Sequence, residues 1–271
     1  MHSNAHLQQN AEHAKVHIHH LEIHVSHACN LRCANCSHYC DIGYPQKINH
    51  DDALGSILAW SKKLHIDQFA LLGGEPLLEK RVTEYVRIAA EAFPLAERRL
   101  VTNGVLLHAH DDALAQAIKE TNTRLIISSH AIPENQKPLL AKSLSKLKHW
   151  IQKYALNVTI KPIDSRWFKL YHGLGKKMLP FDDRCPEQSR ARCVTPCVNL
   201  HEGALWKCPP LAYLPMVIES LHYKKAWEPY LAYRPLQLSA SVQELAHIAT
   251  DSHCCAMCPK TPKLDLVQHA L

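Results

Sequence analysis

Five short apolar runs, separated by longer stretches with apolar residues at helical spacing, set the rhythm of the chain up to Lys161. The runs Leu21 to Ser26, Gln68 to Leu72, Arg99 to Thr102, Arg124 to Ser129 and Asn157 to Lys161 read as buried strands. Asp51 or Asp52 can cap a first helix whose apolar face includes Leu54, Ile57, Leu58 and Leu64. A second helix is predicted from Glu79 to Phe93, with Val82, Val86, Ile88 and Ala89 turned inward. A third begins near Asp111 or Asp112. A fourth covers Glu134 to Tyr154 and carries Leu139, Leu140, Leu144 and Leu147. Strand–helix alternation at roughly thirty-residue intervals predicts parallel strands joined by right-handed crossovers.

The expected fold class is therefore α/β, a partial (β/α)6 TIM-like barrel. Barrels of this kind present their chemistry at the C-terminal ends of the strands. Chemistry-bearing residues fall there repeatedly. Cys29, Cys33 and Cys36 follow the first strand, and Gly73-Gly74-Glu75-Pro76 follows the second. Thr102-Asn103-Gly104 ends the third, Ser128-Ser129-His130 the fourth and Lys161 the fifth. Three thiolates at spacings of four and three can converge on one soft metal centre. Three cysteines also leave one iron of a four-iron cubane open to an outside ligand.

At two of these places the chain resembles the radical S-adenosylmethionine (SAM) superfamily, whose motif is Cys-x3-Cys-x2-Cys after the first barrel strand and Gly-Gly-Glu-Pro after the second. The resemblance implies a 4Fe–4S cluster on Cys29, Cys33 and Cys36, with SAM chelating the fourth iron. It implies reductive cleavage of SAM to a 5′-deoxyadenosyl radical that abstracts hydrogen from a substrate. Gly73 and Gly74 would let backbone approach the methionine end of SAM, Glu75 would accept from its amino group, and Asn103 and Ser128 match the polar positions that touch its ribose and carboxylate. Many members carry an aromatic residue just before the third cysteine. Asn35 stands there in this chain, and Tyr39 is the substitute for an adenine contact. Zinc on closed ligands is the alternative reading of the cysteines.

After Lys161 the alternation stops. Residues 163–184 read as a connecting or lid segment, and residues 185–271 hold Cys185, Cys193, Cys197, Cys208, Cys254, Cys255 and Cys258. The order Cys193, Gly203, Cys208 and then Cys255-x2-Cys258 resembles the auxiliary-cluster region called SPASM, or its shortened twitch form. This implies one auxiliary 4Fe–4S cluster on Cys193, Cys208, Cys255 and Cys258. A short hairpin would carry the first two ligands, and a helix near Ser241 to Ile248 would return the chain to the last pair. Structural zinc fits the same count. Cys40, Cys185, Cys197 and Cys254 then lie outside both sets. Cys254 and Cys197 are the candidate hydrogen-atom donors to a substrate radical. Residues 1–20 are polar and histidine-rich and read as a fraying leader, although His17, His19 and His20 are close enough to suggest a metal. The barrel then spans residues 21–162.

Composition narrows the class. Eleven cysteines without a visible export signal indicate metal binding in a reducing cytoplasm rather than disulfides. No apolar run is long enough to cross a bilayer. The net charge of +6 comes without basic blocks, so no nucleic-acid groove is indicated, while it suits an acidic flavodoxin- or ferredoxin-type electron donor. Only twenty or so residues precede the first strand, too few for a leader-peptide-binding domain. The compact plan is similar to radical SAM enzymes that epimerise or dehydrogenate hydroxylated rings, so a small sugar-, cyclitol- or aminoglycoside-like metabolite is the expected substrate. A peptide maturase and a non-catalytic iron–sulfur or zinc protein are the alternatives.

Overall fold

The computed structural model describes residues 15–43, 46–128, 132–161 and 166–266. Its centre is a seven-stranded sheet built from β1 (Val16–Ser26), β2 (Leu64–Gly73), β3 (Glu97–Thr102), β4 (Arg124–Ser128), β5 (Val158–Lys161), β7 (Val198–His201) and β8 (Ala204–Trp206). The strand order is β5-β4-β3-β2-β1-β7-β8. All pairs are parallel except the β7–β8 hairpin. The crossovers are α1 (His50–Ser61), α2 (Val82–Ala92), α3 (Asp112–Glu120) and α4 (Lys137–Tyr154). This is the partial TIM-like barrel that the alternation predicts. Its sixth parallel strand does not follow β5. It is β7, from the cysteine-rich region, seated beside β1 with Leu21 opposite Val198 and Ile23 opposite Leu200.

Local chemistry sets the element ends. Asn49 caps α1 and Asp111 caps α3 through side-chain acceptors, which offset orphan amides of the first turn. Strand β1 begins at Val16, not Leu21. Val16 and Ile18 are buried while His17 and His19 are exposed, the alternation of a strand with one covered face. The polar stretch up to His20 is therefore partly sheet, and residues 1–14 lie outside the described residues. Leu64 belongs to β2 rather than to α1, because Leu64 and Ile66 alternate inward against His65 and Asp67. On α4 the buried positions are Ser143, Leu147 and Trp150, whereas Leu139 and Leu144 are exposed. Ser143 serves there because its hydroxyl donates to the Val105 carbonyl at 2.7 Å.

A second core gathers Tyr39, Tyr171, Trp227 and the apolar helix α6 (Pro209–Val217) under the C-terminal region. Three further helices complete that region: α5 (Pro186–Ala191), α7 (Lys224–Leu231) and α8 (Val242–His247). Ser241 and Glu244 form a capping box at the start of α8. The connecting segment is stitched down, since β6 (Arg166–Phe168) pairs antiparallel with β9 (Leu264–Leu266). The hairpin turns at Glu202 and Gly203, both at positive φ (48° and 76°), as a two-residue turn between twisted strands requires.

Trp60 ties the two regions together. It is fully buried in the main core, and its indole Nε1 donates to the Gly203 carbonyl at 2.9 Å. Trp60→Phe strands that carbonyl and removes part of a packed ring, so a loss of about 2 kcal/mol is expected. It would be read as a lower urea midpoint with an unchanged slope.

Candidate active site at the ends of the central strands

The loop after β1 curls back on itself because Asn35 and Tyr39 adopt left-handed backbone (φ 62° and 54°). Backbone amides of Tyr39 and Ile42 donate to the carbonyls of Cys36 and Tyr39. The curl brings Cys29, Cys33 and Cys36 onto one cavity of about 190 Å³, whose wall also includes Gly73, Gly74, Glu75, Asn103 and Ser128. These eight residues come from the ends of four different strands.

The two glycines are required by the close passage of β1. A Cβ on Gly73 would lie 2.2 Å from the Ser26 carbonyl oxygen, and one on Gly74 would lie 2.2 Å from that of Ala28. The Gly74 amide donates to Ser26 O and the Glu75 amide to Ala28 O, each at 2.8 Å. The glycines thus clamp the root of the cysteine loop to the end of β2, a role the motif alone does not reveal. Glu75 extends the clamp to β3. Its carboxylate accepts from the Thr102 hydroxyl at 2.5 Å, the Asn103 amide at 2.9 Å and the Leu77 amide at 3.0 Å. Burial pushes its pKa up to about 7 against the opposing pull of these three donors. Oε1 takes two of the bonds and Oε2 one, which leaves acceptor capacity on Oε2. Asn103 donates to Asn30 Oδ1 at 2.8 Å, and Asn30 is bonded in turn to Gln136. Asn103 is therefore fixed against the cysteine loop as well as lining the cavity.

Other expected positions fall elsewhere. Tyr39 is wholly buried in the second core, stacks on Tyr171 with centroids 5.3 Å apart and donates to the Pro210 carbonyl. It is turned away from the cavity and does not supply the aromatic contact. Trp167, from β6, lines the cavity instead, together with His38, Cys40 and Thr102. Trp167 is a missed residue without a sequence signal, because it reaches the site from far along the chain. Cys40 did carry a signal, falling four residues after Cys36. Lys161 is exposed at the end of β5, and Ser129 and His130 lie outside the described residues.

A second cavity, of about 130 Å³, is lined by Cys193, Cys208, Cys255 and Cys258, with Cys254 beside them. Cys193 lies before the β7–β8 hairpin and Cys208 just after it, while Cys255 sits in a short 3-10 turn after α8 and Cys258 ends that turn. Cys197 does not reach this cavity. It is buried against Glu22 and the half-buried His20, one ligand atom of each lying within 4.8 Å of the others. Cys185 precedes α5 and lines neither cavity. Burial pushes the thiols of Cys29 and Cys208 up to about 12. In such surroundings thiolate forms when a cation compensates it, so metal loading of either site releases protons. The all-sulfur donor sets fit soft metal centres.

Three cysteine thiols, a glycine-cleared backbone and a buried glutamate thus meet on one strand-end cavity. Residues 23–155 match the family model for the Radical SAM superfamily, and the chain belongs to that superfamily. Among curated relatives it is similar to a GTP 3',8-cyclase of Peptoclostridium acidaminophilum, 34% identical over 113 residues that cover 40% of this chain and 34% of that protein. A GTP 3',8-cyclase of Synechocystis sp. is 32% identical over 105 residues, covering 35% of this chain and 29% of that protein. The chain thus spans about a third of the length of these curated relatives. Among solved structures, BtrN in complex with AdoMet and 2-DOIA superposes with a TM-score of 0.46 at 13% identity, over 92% of this chain and 93% of that one. No helix among the described residues is long and apolar enough to cross a membrane.

Proposed function

We propose that this radical SAM enzyme acts on a small hydroxylated metabolite, with SAM bound in the Cys29–Cys33–Cys36 cavity and an auxiliary 4Fe–4S cluster on Cys193, Cys208, Cys255 and Cys258. When bound, the first cluster and SAM supply a 5′-deoxyadenosyl radical able to remove hydrogen from an unactivated C–H bond. The protein's part is to hold, orient and keep dry. The three cysteines hold the cluster, the Gly73–Gly74 clamp fixes their loop, Oε2 of Glu75 accepts from the amino group of SAM, and Asn103 and Ser128 offer polar contacts on the same wall. Trp167 offers a flat apolar face at the rim.

The observation that carries the substrate class is a buried polar cluster of Glu22, His20, His24 and His38, of which His38 lines this cavity. Glu22 Oε1 lies 3.5 Å from His20 Nε2, and Glu22 Oε2 lies 3.8 Å from His38 Nε2, both too long for good hydrogen bonds. Glu22 Oε2 and the Nε2 atoms of His20, His24 and His38 have no hydrogen-bond partner among the described residues. Glu22 and His38 pair at a distance that leaves hydrogen-bonding capacity on both, and a ring bearing hydroxyl or amino groups can take up the capacity that His38 presents to the cavity. Cys197 lines neither cavity but is linked through Glu22 to His38, which favours it over Cys254 as a hydrogen-atom donor. A nucleotide is the second reading, favoured by the relatives named GTP 3',8-cyclase.

The test is anaerobic turnover in deuterated water with SAM, dithionite and separate panels of cyclitols and amino sugars, nucleotides, and peptides. The proposal expects cyclitols or amino sugars to stimulate 5′-deoxyadenosine release. Deuterium kept at a substrate carbon indicates epimerisation, and Cys197→Ala then loses label while SAM cleavage continues. An unlabelled product two hydrogens lighter indicates dehydrogenation. Stimulation by GTP or by peptide alone overturns the proposed class.

A further inference from the structure

The starts of β1 and β2 lie at the opposite end of these strands from the Cys29–Cys33–Cys36 cavity. There His17-Ile18-His19 on β1 runs beside His65-Ile66-Asp67 on β2, with His17 opposite His65 and Ile18 opposite Ile66. Side chains alternate along a strand, so both isoleucines enter the buried face. His17, His19, His65 and Asp67 share the other face. Asp67 is held from two sides: Oδ1 lies 2.8 Å from His17 Nε2, and Oδ2 lies 2.9 Å from His19 Nδ1. The rings of His17 and His65 are 5.6 Å apart between centroids. One ligand atom from each of His17, His65 and Asp67 falls within 4.8 Å of the other two.

We propose that His17, His65 and Asp67 bind a divalent transition-metal ion such as Zn²⁺. Two imidazole nitrogens and one carboxylate oxygen are ordinary zinc ligands at bond lengths of about 2.0–2.2 Å. Ligand atoms already gathered this closely need only small rotations to reach a common ion. Water completes the tetrahedron from the solvent side. His19 holds the second carboxylate oxygen, the kind of outer hydrogen bond that fixes a metal-ligating carboxylate. Ion pairs at so exposed a place add little stability by themselves, and neither organises His65, which takes no part in them. The ladder between β1 and β2 presets the spacing, so little conformational freedom is lost on binding. The ion sits apart from the radical chemistry. Seven residues of extended strand, about 23 Å, separate His19 from the start of the cysteine loop. Bound there, it staples together the beginnings of the two central strands.

The test is a Zn²⁺ titration by calorimetry on protein whose iron–sulfur clusters are in place, so that the thiols are occupied. Wild-type protein is expected to take up one equivalent of Zn²⁺ that the double variant His17→Ala/His65→Ala does not. Asp67→Asn is expected to weaken that binding by at least about tenfold. Co²⁺ in place of Zn²⁺ should give a ligand-field spectrum of nitrogen and oxygen ligands without thiolate charge transfer. Added Zn²⁺ should raise the thermal midpoint of the wild type only. Iron content and far-UV circular dichroism establish that the variants, altered at exposed positions, are folded. Equal stoichiometry and affinity in the double variant, or a Co²⁺ spectrum dominated by thiolate bands, overturns the proposal.

Discussion

Replacing Cys29, Cys33 and Cys36 together by alanine is expected to abolish 5′-deoxyadenosine release and to remove about half of the roughly eight irons a two-cluster protein holds. The reason is spatial separation. The three thiols share a cavity with Glu75 and Asn103, while Cys193, Cys208, Cys255 and Cys258 share a different one. Loss of the first set leaves the second donor set intact. The matched variant Cys193→Ala/Cys208→Ala should lose the other half of the iron and keep the cleavage site's cysteines. Iron analysis, electron paramagnetic resonance of the reduced protein and chromatography of the nucleoside products read all three quantities. Full SAM cleavage by the triple variant would refute the cavity assignment. Full iron content in the double variant would refute the second cluster, and zinc recovered there instead would make that site structural.

The second large effect is expected from a single methyl group. A Cβ on Gly74 would stand 2.2 Å from the Ala28 carbonyl oxygen, 2.5 Å from its carbon and 2.6 Å from the His27 carbonyl oxygen. All three are backbone atoms, so no side chain can swing aside. Gly74→Ala must push the loop away from β2, breaking the amide bonds from Gly74 to Ser26 and from Glu75 to Ala28. Two such bonds at about 1 kcal/mol each, with about 1–3 kcal/mol of overpacking, give a loss of about 3–5 kcal/mol. Because the loop carries Cys29, the iron of the cleavage site should fall with stability while the second centre persists. Gly55→Ala is the internal control. It lies inside α1 with nothing within 4 Å of a Cβ, and it should stabilise the helix by about 0.5–1 kcal/mol. Equal unfolding midpoints for the two variants would show that the Gly74 contact is not rigid.

Local pattern was enough wherever neighbours in sequence share a job. The cysteine spacing, the adjacent glycines and the strand-end residues Thr102, Asn103 and Ser128 were legible, and the structure collects them on one cavity, whereas Lys161 stays outside it. So was the hairpin between Cys193 and Cys208. Strand starts were less legible. Val16 and Ile18 alternate correctly, but the histidines between them look like solvated tail rather than the exposed face of a strand. Helix α4 carries leucines on more than one face. Its buried stripe is instead set by Ser143, chosen by the Val105 carbonyl that it bonds, and no periodicity of apolar residues reports such a partner. Trp167 and His38 entered the cavity unannounced because they have no motif spacing. The Tyr39 expectation failed for a related reason. Its backbone lies in the right loop, but its left-handed conformation sends the ring into the second core.

The seating of β7 against β1 has a consequence for how this protein is made. Strand β1 waits for a neighbour that is translated long after it, because Leu21 finds Val198 across 177 positions. Until then one flank of β1 presents bare amides and carbonyls, the condition under which nascent sheets stick to one another. Contacts of such long range also slow folding. Assembly is thereby ordered in time, since the barrel half is sealed only when the chain that carries the later cysteines has been delivered.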